Sequence, residues 1–494
     1  MNPHSDPSAP PPRTILTTIL ARYPIAQNAL VAIPALAAAG PYASLRPGSS
    51  GFPYLYRVLW ALLAIVAVPL FFTRQVRTRL LPRLFTLFVA WWAIWTPITL
   101  LWSPAGDVGR TQILASTASL VGAWVVLITT RGTARSLHLL RIGFVIAVAM
   151  NVAVVLWEWF SGEHLVVIAG IQDWYYSAYL VAGTFTNPNG LSNFLIVAVA
   201  VLTAQLIRER AAARPRRAGA DAVEGVEGPA IRGSRPRVVA LVIALACCVV
   251  VIGLTGSRGG MIASTVVLLG GALWCFPGRI RATVPIALVL LAAGGPLLAL
   301  TDYEKVRPSS ASAGMVGEEP SSGRHLDNLT RDQVQADLLA ADRLRVDLSR
   351  SGLRSFAEAP LQGHGAGAAI TTLEQDPQYG PGLDPALRRI INLHNTFLEV
   401  AVNYGVIGLA PIILLLGGIL TTVLRPGPLR RLWPDPNVFE TLAVLLGVAV
   451  TSIIASTALG DPTFWLSLAY AAAVAWNYAD AVRADAAGEE VSQT

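Results

Sequence analysis

Charge is what this sequence has least of. Only 14% of its 494 residues are Asp, Glu, Lys or Arg, against about a quarter in a soluble globular domain. That deficit excludes a disordered chain and an ordinary cytosolic enzyme. Cysteine is scarce as well. Cys247, Cys248 and Cys275 fall inside apolar segments without metal-ligand spacing, so they read as small core residues rather than a disulfide framework. Lysine is nearly missing: of 37 basic side chains, Lys305 alone is lysine. There is also no P-loop, HExxH, CxxC pair, GxSxG elbow or DxD motif. ATP-driven, zinc-dependent and metal-bridged mechanisms lose support, and neither a metal site nor a cofactor is expected.

What the sequence does have is apolar length. Hydrophobic residues make up 54% of the chain, and mean hydropathy is +0.55. A spanning helix needs about 20 apolar residues. Runs of that scale lie at 24–42, 54–72, 84–102, 111–130, 139–160, 190–207, 238–255, 259–276, 282–300, 396–423, 438–458 and 463–479. The reading is an all-α polytopic membrane protein with about 12 transmembrane helices. The N-terminus, MNPHSDPSAPPPR, is polar and Pro-rich, and small residues continue past Ala35-Leu36-Ala37 to Ala39. The first run is therefore read as a membrane helix, not a signal peptide.

The net charge of +7 invites a nucleic-acid reading, but the arginines decide otherwise. Breaks after even-numbered spans hold twenty of them, whereas the short breaks on the other face hold four (Arg46, Arg57, Arg110 and Arg258). Positive residues stay inside. Residues 1–23 and 480–494 are then cytoplasmic tails. Residues 24–300 hold spans one to nine, with a basic cytoplasmic loop at 208–237, and residues 394–479 hold the last three. Between them, residues 301–393 form a large outward loop. Its first part, 307–323, is rich in Ser, Gly and Glu, and 327–359 has helical periodicity with alternating Asp and Arg.

Four outward stretches depart from a plain membrane pattern. In GTFTNPNGLSNF (183–194), Asn187 and Asn189 either belong to a helix-capping turn or hydrogen-bond sugar hydroxyls or phosphate. In LTGSRGGMI (254–262), Arg258 stands between two closely spaced helices. It either snorkels or pairs with a phosphate, and the depth favours the phosphate. In 345–367, Arg345, Arg350 and Arg354 precede Pro360 and the turn Gly363-His364-Gly365, with salt bridges to nearby Asp as the default for most of them. In NLHNTFLEVAVNYGVIGL (392–409), His394 and Asn395 open the tenth helix, a place suited to acid–base or phosphate work. A cationic site of arginines, a histidine and asparagines at a membrane surface suits a lipid-linked phosphate or diphosphate.

These residues resemble a known family. His394-Asn395, nine residues, then Gly405-Val406-Ile407-Gly408 is similar to the histidine motif of the O-antigen ligases. That family also takes in related polymerases and bacterial protein O-oligosaccharyltransferases. Ser257-Arg258-Gly259-Gly260, Asn187-Pro188-Asn189, and Arg345 fifteen residues before Pro360-Leu361-x-Gly-x-Gly-x-Gly extend the match, roughly from the fifth span onward. His364 departs from it, standing where a small or apolar residue is expected.

The resemblance implies a glycosyltransferase C-like fold with its large, partly helical loop between helices nine and ten. It implies a metal-independent, inverting glycosyltransferase of the bacterial inner membrane, active on the extracytoplasmic face. Its donor is a glycan on polyprenyl, usually undecaprenyl, diphosphate. Its acceptor is a hydroxyl of a lipid, glycan or protein, and nucleic acid is no partner. By the same resemblance Arg258 and Arg345 bind the departing diphosphate, and His394 positions or activates the acceptor or contacts the diphosphate. Asn187, Asn189, Asn395, His364 and Arg350 are expected to bind substrate. Two alternatives stand beside the ligase: a polymerase of lipid-linked repeats, and a non-enzymatic lipid or polysaccharide transporter. A transporter would show internal repeats and midplane charges. No clear repeat is present, and charges mostly flank the spans, with Glu158 an exception.

Overall fold

A computed structural model describes residues 23–40, 54–163, 165, 181–185, 187–213, 235–275, 346, 348–375, 393–424, 435–454 and 458–493. The described chain is all helix, with no β-strand among these residues. In chain order the helices are α1 (Tyr23–Ala39), α2 (Leu55–Phe71), α3 (Leu80–Leu101), α4 (Gly106–Thr130) and α5 (Ala134–Ser161). Then come α6 (Pro188–Ala213), α7 (Arg235–Leu254) and α8 (Arg258–Cys275). The last five are α9 (348–358), α10 (Ala368–Gln375), α11 (Thr396–Leu424), α12 (Pro436–Ile454) and α13 (Pro462–Gln493).

Among the described residues seven helices are long and apolar enough to cross a membrane: α3, α4, α5, α6, α7, α11 and α12. Three shorter apolar helices, α1, α2 and α8, fall on the expected first, second and eighth spans. The ninth span (282–300), Arg345, residues 307–323 of the outward loop and residues 1–22 lie outside the described residues.

The twelfth expected span falls within α13, which does not have the apolar character of the seven. Its position supplies the reason. From Trp465 to Trp476 nearly every side chain is buried, and the helix packs against α3, α4, α5, α11 and α12. A helix enclosed by protein has no need of an apolar face for lipid. The small side chains of Ala471, Ala472, Ala473 and Ala475, each fully buried, let its neighbours approach closely. Helix α6 is enclosed in the same way from Leu191 to Leu202.

Local sequence sets the hairpins. Arg131 and Gly132 take left-handed backbone, with φ of 50° and 61°, which ends α4. The Thr133 side chain then accepts a bond from Ser136 N at the start of α5, so a cap follows a stop within three residues.

Contacts between helix ends sort them into two layers. At the arginine-rich end, Gln27 donates to Ser136 Oγ (2.8 Å) and Arg79 pairs with Asp480 (3.2 Å). Arg141 grips Glu440 with two donors (3.0 and 2.6 Å), joined by Arg208 (2.5 Å) and the Tyr470 hydroxyl (2.5 Å). Glu440 is fully buried. Removing both arginines would strand its charge, at a cost of about 3–5 kcal/mol or more. At the opposite end, Thr184 Oγ lies 2.7 Å from Ala38 O, Ser119 donates to Gly460 O and Thr396 Oγ accepts from Ala458 N. The helices thus alternate in direction, and the four stretches singled out in the sequence gather at this second end.

Candidate active site

The backbone of α11 breaks at Gly405, where φ is 66° and ψ is −169°, a region open essentially to glycine alone. A break inside an apolar helix frees carbonyl and amide groups that a membrane cannot hydrate. The segment Pro360–Gly365 is spliced into the gap and satisfies them. Val402 O accepts from His364 N (2.8 Å), and Asn403 O accepts from Gly365 N (2.9 Å). Beyond the break, Val406 N donates to Pro360 O (2.8 Å) and Ile407 N to Leu361 O (3.2 Å).

Tryptophans of α3 and of the residue after it finish the accounting. Trp95 Nε1 donates to Tyr404 O (3.1 Å), Trp91 Nε1 to Ile407 O (3.0 Å) and Trp102 Nε1 to Gly363 O (3.1 Å). Close approach explains the glycines. A Cβ at Gly405 would stand 2.1 Å from Leu361 O, and one at Gly363 would stand 2.6 Å from the Asn403 carbonyl. The Pro-Leu-x-Gly-x-Gly-x-Gly and Gly405-containing motifs are two halves of one joint.

Just above this joint a small second core forms. Leu348 of α9, Ala369 of α10, and Leu393, Leu398 and Val402 are buried together, with Phe356 beside them. Leu393 rests on Gly352, and the opposite face of α9 leaves Arg350 and Arg354 exposed. His364 closes the end of α9, its Nε2 lying 2.7 Å from Ser355 O.

His394 sits between two fixed residues. Leu393 before it is fully buried. Asn395 after it is the N-cap of α11, its Oδ1 accepting from Leu398 N (3.1 Å) and its backbone O from Glu399 N (2.8 Å). His394 itself is half-buried and takes left-handed backbone at φ 48°, a conformation His tolerates better than most residues. The cap of α11 is Asn395, and His394 stands beside it at the positive end of the helix.

Asn187 has a similar capping role. Its Oδ1 accepts from Gly190 N (2.7 Å), and Pro188 follows as the first residue of α6, where a missing N–H costs nothing. Residues before it are clamped by side chains of α5. Glu158 Oε2 accepts from Ala182 N (3.0 Å) and Gly183 N (2.8 Å), and Asn151 Oδ1 accepts from Thr184 N (3.1 Å). Asn189 is half-buried in the first turn of α6. The first turn of α8 packs directly on that turn, since a Cβ at Gly260 would lie 1.9 Å from Ser192 Oγ. Arg258, exposed at the start of α8, stands two residues before this contact with α6.

The site end thus holds two groups: Asn187, Asn189 and Arg258, and then Arg350, His364, His394 and Asn395. Several residues of the joint escape a sequence reading. Trp91, Trp95 and Trp102 look like interfacial aromatics, and Gln112, whose Oε1 accepts from Asn403 Nδ2 beside the break (3.3 Å), like a polar residue near a helix start. Glu399 carried a usable signal, being a carboxylate inside an apolar span, as Glu158 is.

Residues 243–413 match the model of a protein family described as O-Antigen ligase. The matched stretch takes in Arg258, His364, His394 and Gly405, and so both halves of the joint. A search of curated proteins finds no match. The family match and the apolar helical bundle support a membrane glycan role of ligase or polymerase type.

Proposed function

We propose that this chain, whose residues 243–413 are those of an O-antigen ligase-like family, is a membrane glycan ligase. It takes a glycan from polyprenyl diphosphate and joins it to an acceptor hydroxyl at the outer face of the inner membrane. The observation that carries this reading is the seating of His394. Two anchored neighbours hold it at the N-terminus of a broken apolar helix, at the end of the bundle where Arg258 also lies.

The chemistry runs as a single displacement with inversion. The acceptor oxygen attacks the anomeric carbon, and the bond from that carbon to the diphosphate oxygen breaks with its electron pair leaving on the diphosphate. The hydroxyl proton passes to His394. Negative charge builds on the leaving group, and the forked guanidinium donors of Arg258 and Arg345 stabilise it there. The positive end of α11 favours an anion at the same spot. Arginines take the place of a metal ion in neutralising the diphosphate.

Mass spectrometry of envelope glycans and lipid-linked intermediates in a deletion strain tests this. Lost attachment with polymer accumulating on lipid supports a ligase. Accumulation of single lipid-linked repeats points to a polymerase instead, and unchanged glycans and intermediates defeat both.

A further inference from the structure

A chain of side-chain hydrogen bonds, buried at both ends and half-buried at Gln112, runs beside the joint, and the mechanism above does not use it. Asn403, fully buried in the last turn before the break, accepts at Oδ1 from Ala369 N, in the first turn of α10 (2.8 Å). Its Nδ2 donates to Gln112 Oε1 on α4 (3.3 Å). Gln112 Nε2 in turn donates to Glu399 Oε1 (2.5 Å). Glu399 is 4% exposed and lies in the first turn of α11, five residues after His394. The chain has one direction. Each amide must present its oxygen to one neighbour and its nitrogen to the next, and only an acceptor at position 399 lets it terminate.

We propose that Glu399, acting through Gln112 and Asn403, is a positioning residue for the transfer reaction. It locks the start of α11 to α4 and to the loop helix α10, and so fixes where His394 stands relative to the reacting atoms. Three elements meet in this chain: α4 from the first half of the bundle, the start of α10 from the spliced loop, and α11. Packing alone leaves such elements free to slide by fractions of an ångström. Hydrogen bonds to the buried Asn403 and Glu399 do not, because leaving a buried polar group unpaired costs its full desolvation. One observation singles out the carboxylate end: Glu399 Oε2 and the Tyr404 hydroxyl are buried and have no hydrogen-bond partner among the described residues. The carboxylate therefore touches the protein's polar groups through one oxygen, that of the Gln112 bond. An acceptor oxygen is what the position supplies.

This inference rests on the reading of His394 given above, so the test separates the two. Variants of the full-length chain are scored for amount in the membrane, for binding of undecaprenyl diphosphate in nanodiscs, and for glycan transfer in the complemented deletion strain. Gln112→Leu breaks the chain at its centre. It should keep normal binding and lose transfer by about a hundredfold, the scale of misplacing a reacting group by about 1 Å. Glu399→Gln, which still offers an oxygen to Gln112, should stay within a few-fold of the parent. Gln112→Glu alone sets two carboxylates against each other and should be inactive, whereas Gln112→Glu with Glu399→Gln restores a donor–acceptor pair and should recover transfer.

If Gln112→Leu does not accumulate, the exchanged pair decides. Parental transfer by Gln112→Leu, or an exchanged pair that accumulates and binds but stays inactive, overturns the proposal. So does an inactive Glu399→Gln with normal binding, which would mean that the acid itself is needed. If instead His394→Ala transfers at the parental rate, it is the reading of the site that fails.

Discussion

Gly405→Ala is the sharpest probe of the joint between α11 and the spliced loop. The added methyl carbon would sit 2.1 Å from Leu361 O and 2.4 Å from Leu361 C, both backbone atoms that cannot swing aside. The loop must back out, and four backbone hydrogen bonds stretch or break: those to Val402 O, Asn403 O, Pro360 O and Leu361 O. At about 1 kcal/mol net for each bond, with about 1–3 kcal/mol for forcing a side chain into a glycine-only conformation, the loss is on the order of 5 kcal/mol. That is a large part of the 5–15 kcal/mol typical of folded proteins.

The same helix provides a control. A Cβ at Gly417 meets nothing within 4 Å, so Gly417→Ala should be neutral or should stabilise by roughly 0.5–1 kcal/mol. Thermal melting of detergent-purified protein followed by size exclusion measures both variants. Gly405→Ala should melt well below the parent and lose transfer; Gly417→Ala should not. Equal melting of Gly405→Ala and the parent would refute the claim that the loop is spliced into the helix.

Three further outcomes follow. Arg258→Ala should reach the membrane in normal amount and lose roughly a hundredfold in transfer, the size of one preorganised donor, while Arg258→Lys regains only part; parental turnover in either leaves Arg258 a snorkelling residue. Transfer should survive EDTA, since in the proposed mechanism arginines neutralise the diphosphate; full loss rescued by magnesium or manganese would contradict that mechanism. Asn395→Ala removes the cap of α11 and should cost about 1 kcal/mol of stability, read as a lower melting temperature that Asn395→Asp restores; an unchanged melt for the alanine variant would show that the cap is dispensable.

Much of the fold was legible because bilayer thickness imposes a length that hydropathy can read. Eleven of the twelve expected spans coincide with described helices. Helix ends pair at both ends of the bundle, as Gln27 with Ser136 and Ala38 with Thr184 show. Hydropathy alone could not foresee that α13 is shielded from lipid, because burial by protein and burial by bilayer leave similar marks on a sequence. In the site, the motif residues were visible but their tasks were not. Asn187 and Asn395 bond their own helix starts, and a sequence cannot distinguish a capping asparagine from one that awaits a sugar. The joint at Gly405 was least legible of all. Its partners lie about forty residues away in the chain, and the bonds that build it are made by backbone, which carries no sequence signature beyond the glycines.

The most direct test of the account is His394→Asn in a strain deleted for this protein. Asparagine tolerates the left-handed backbone found at this position, so the start of α11 should be undisturbed and a loss of activity can be assigned to the missing imidazole. The account predicts normal protein in the membrane, retained binding of undecaprenyl diphosphate, and transfer reduced about a hundredfold or more, with glycan left on its lipid carrier. Transfer at the parental rate would contradict it.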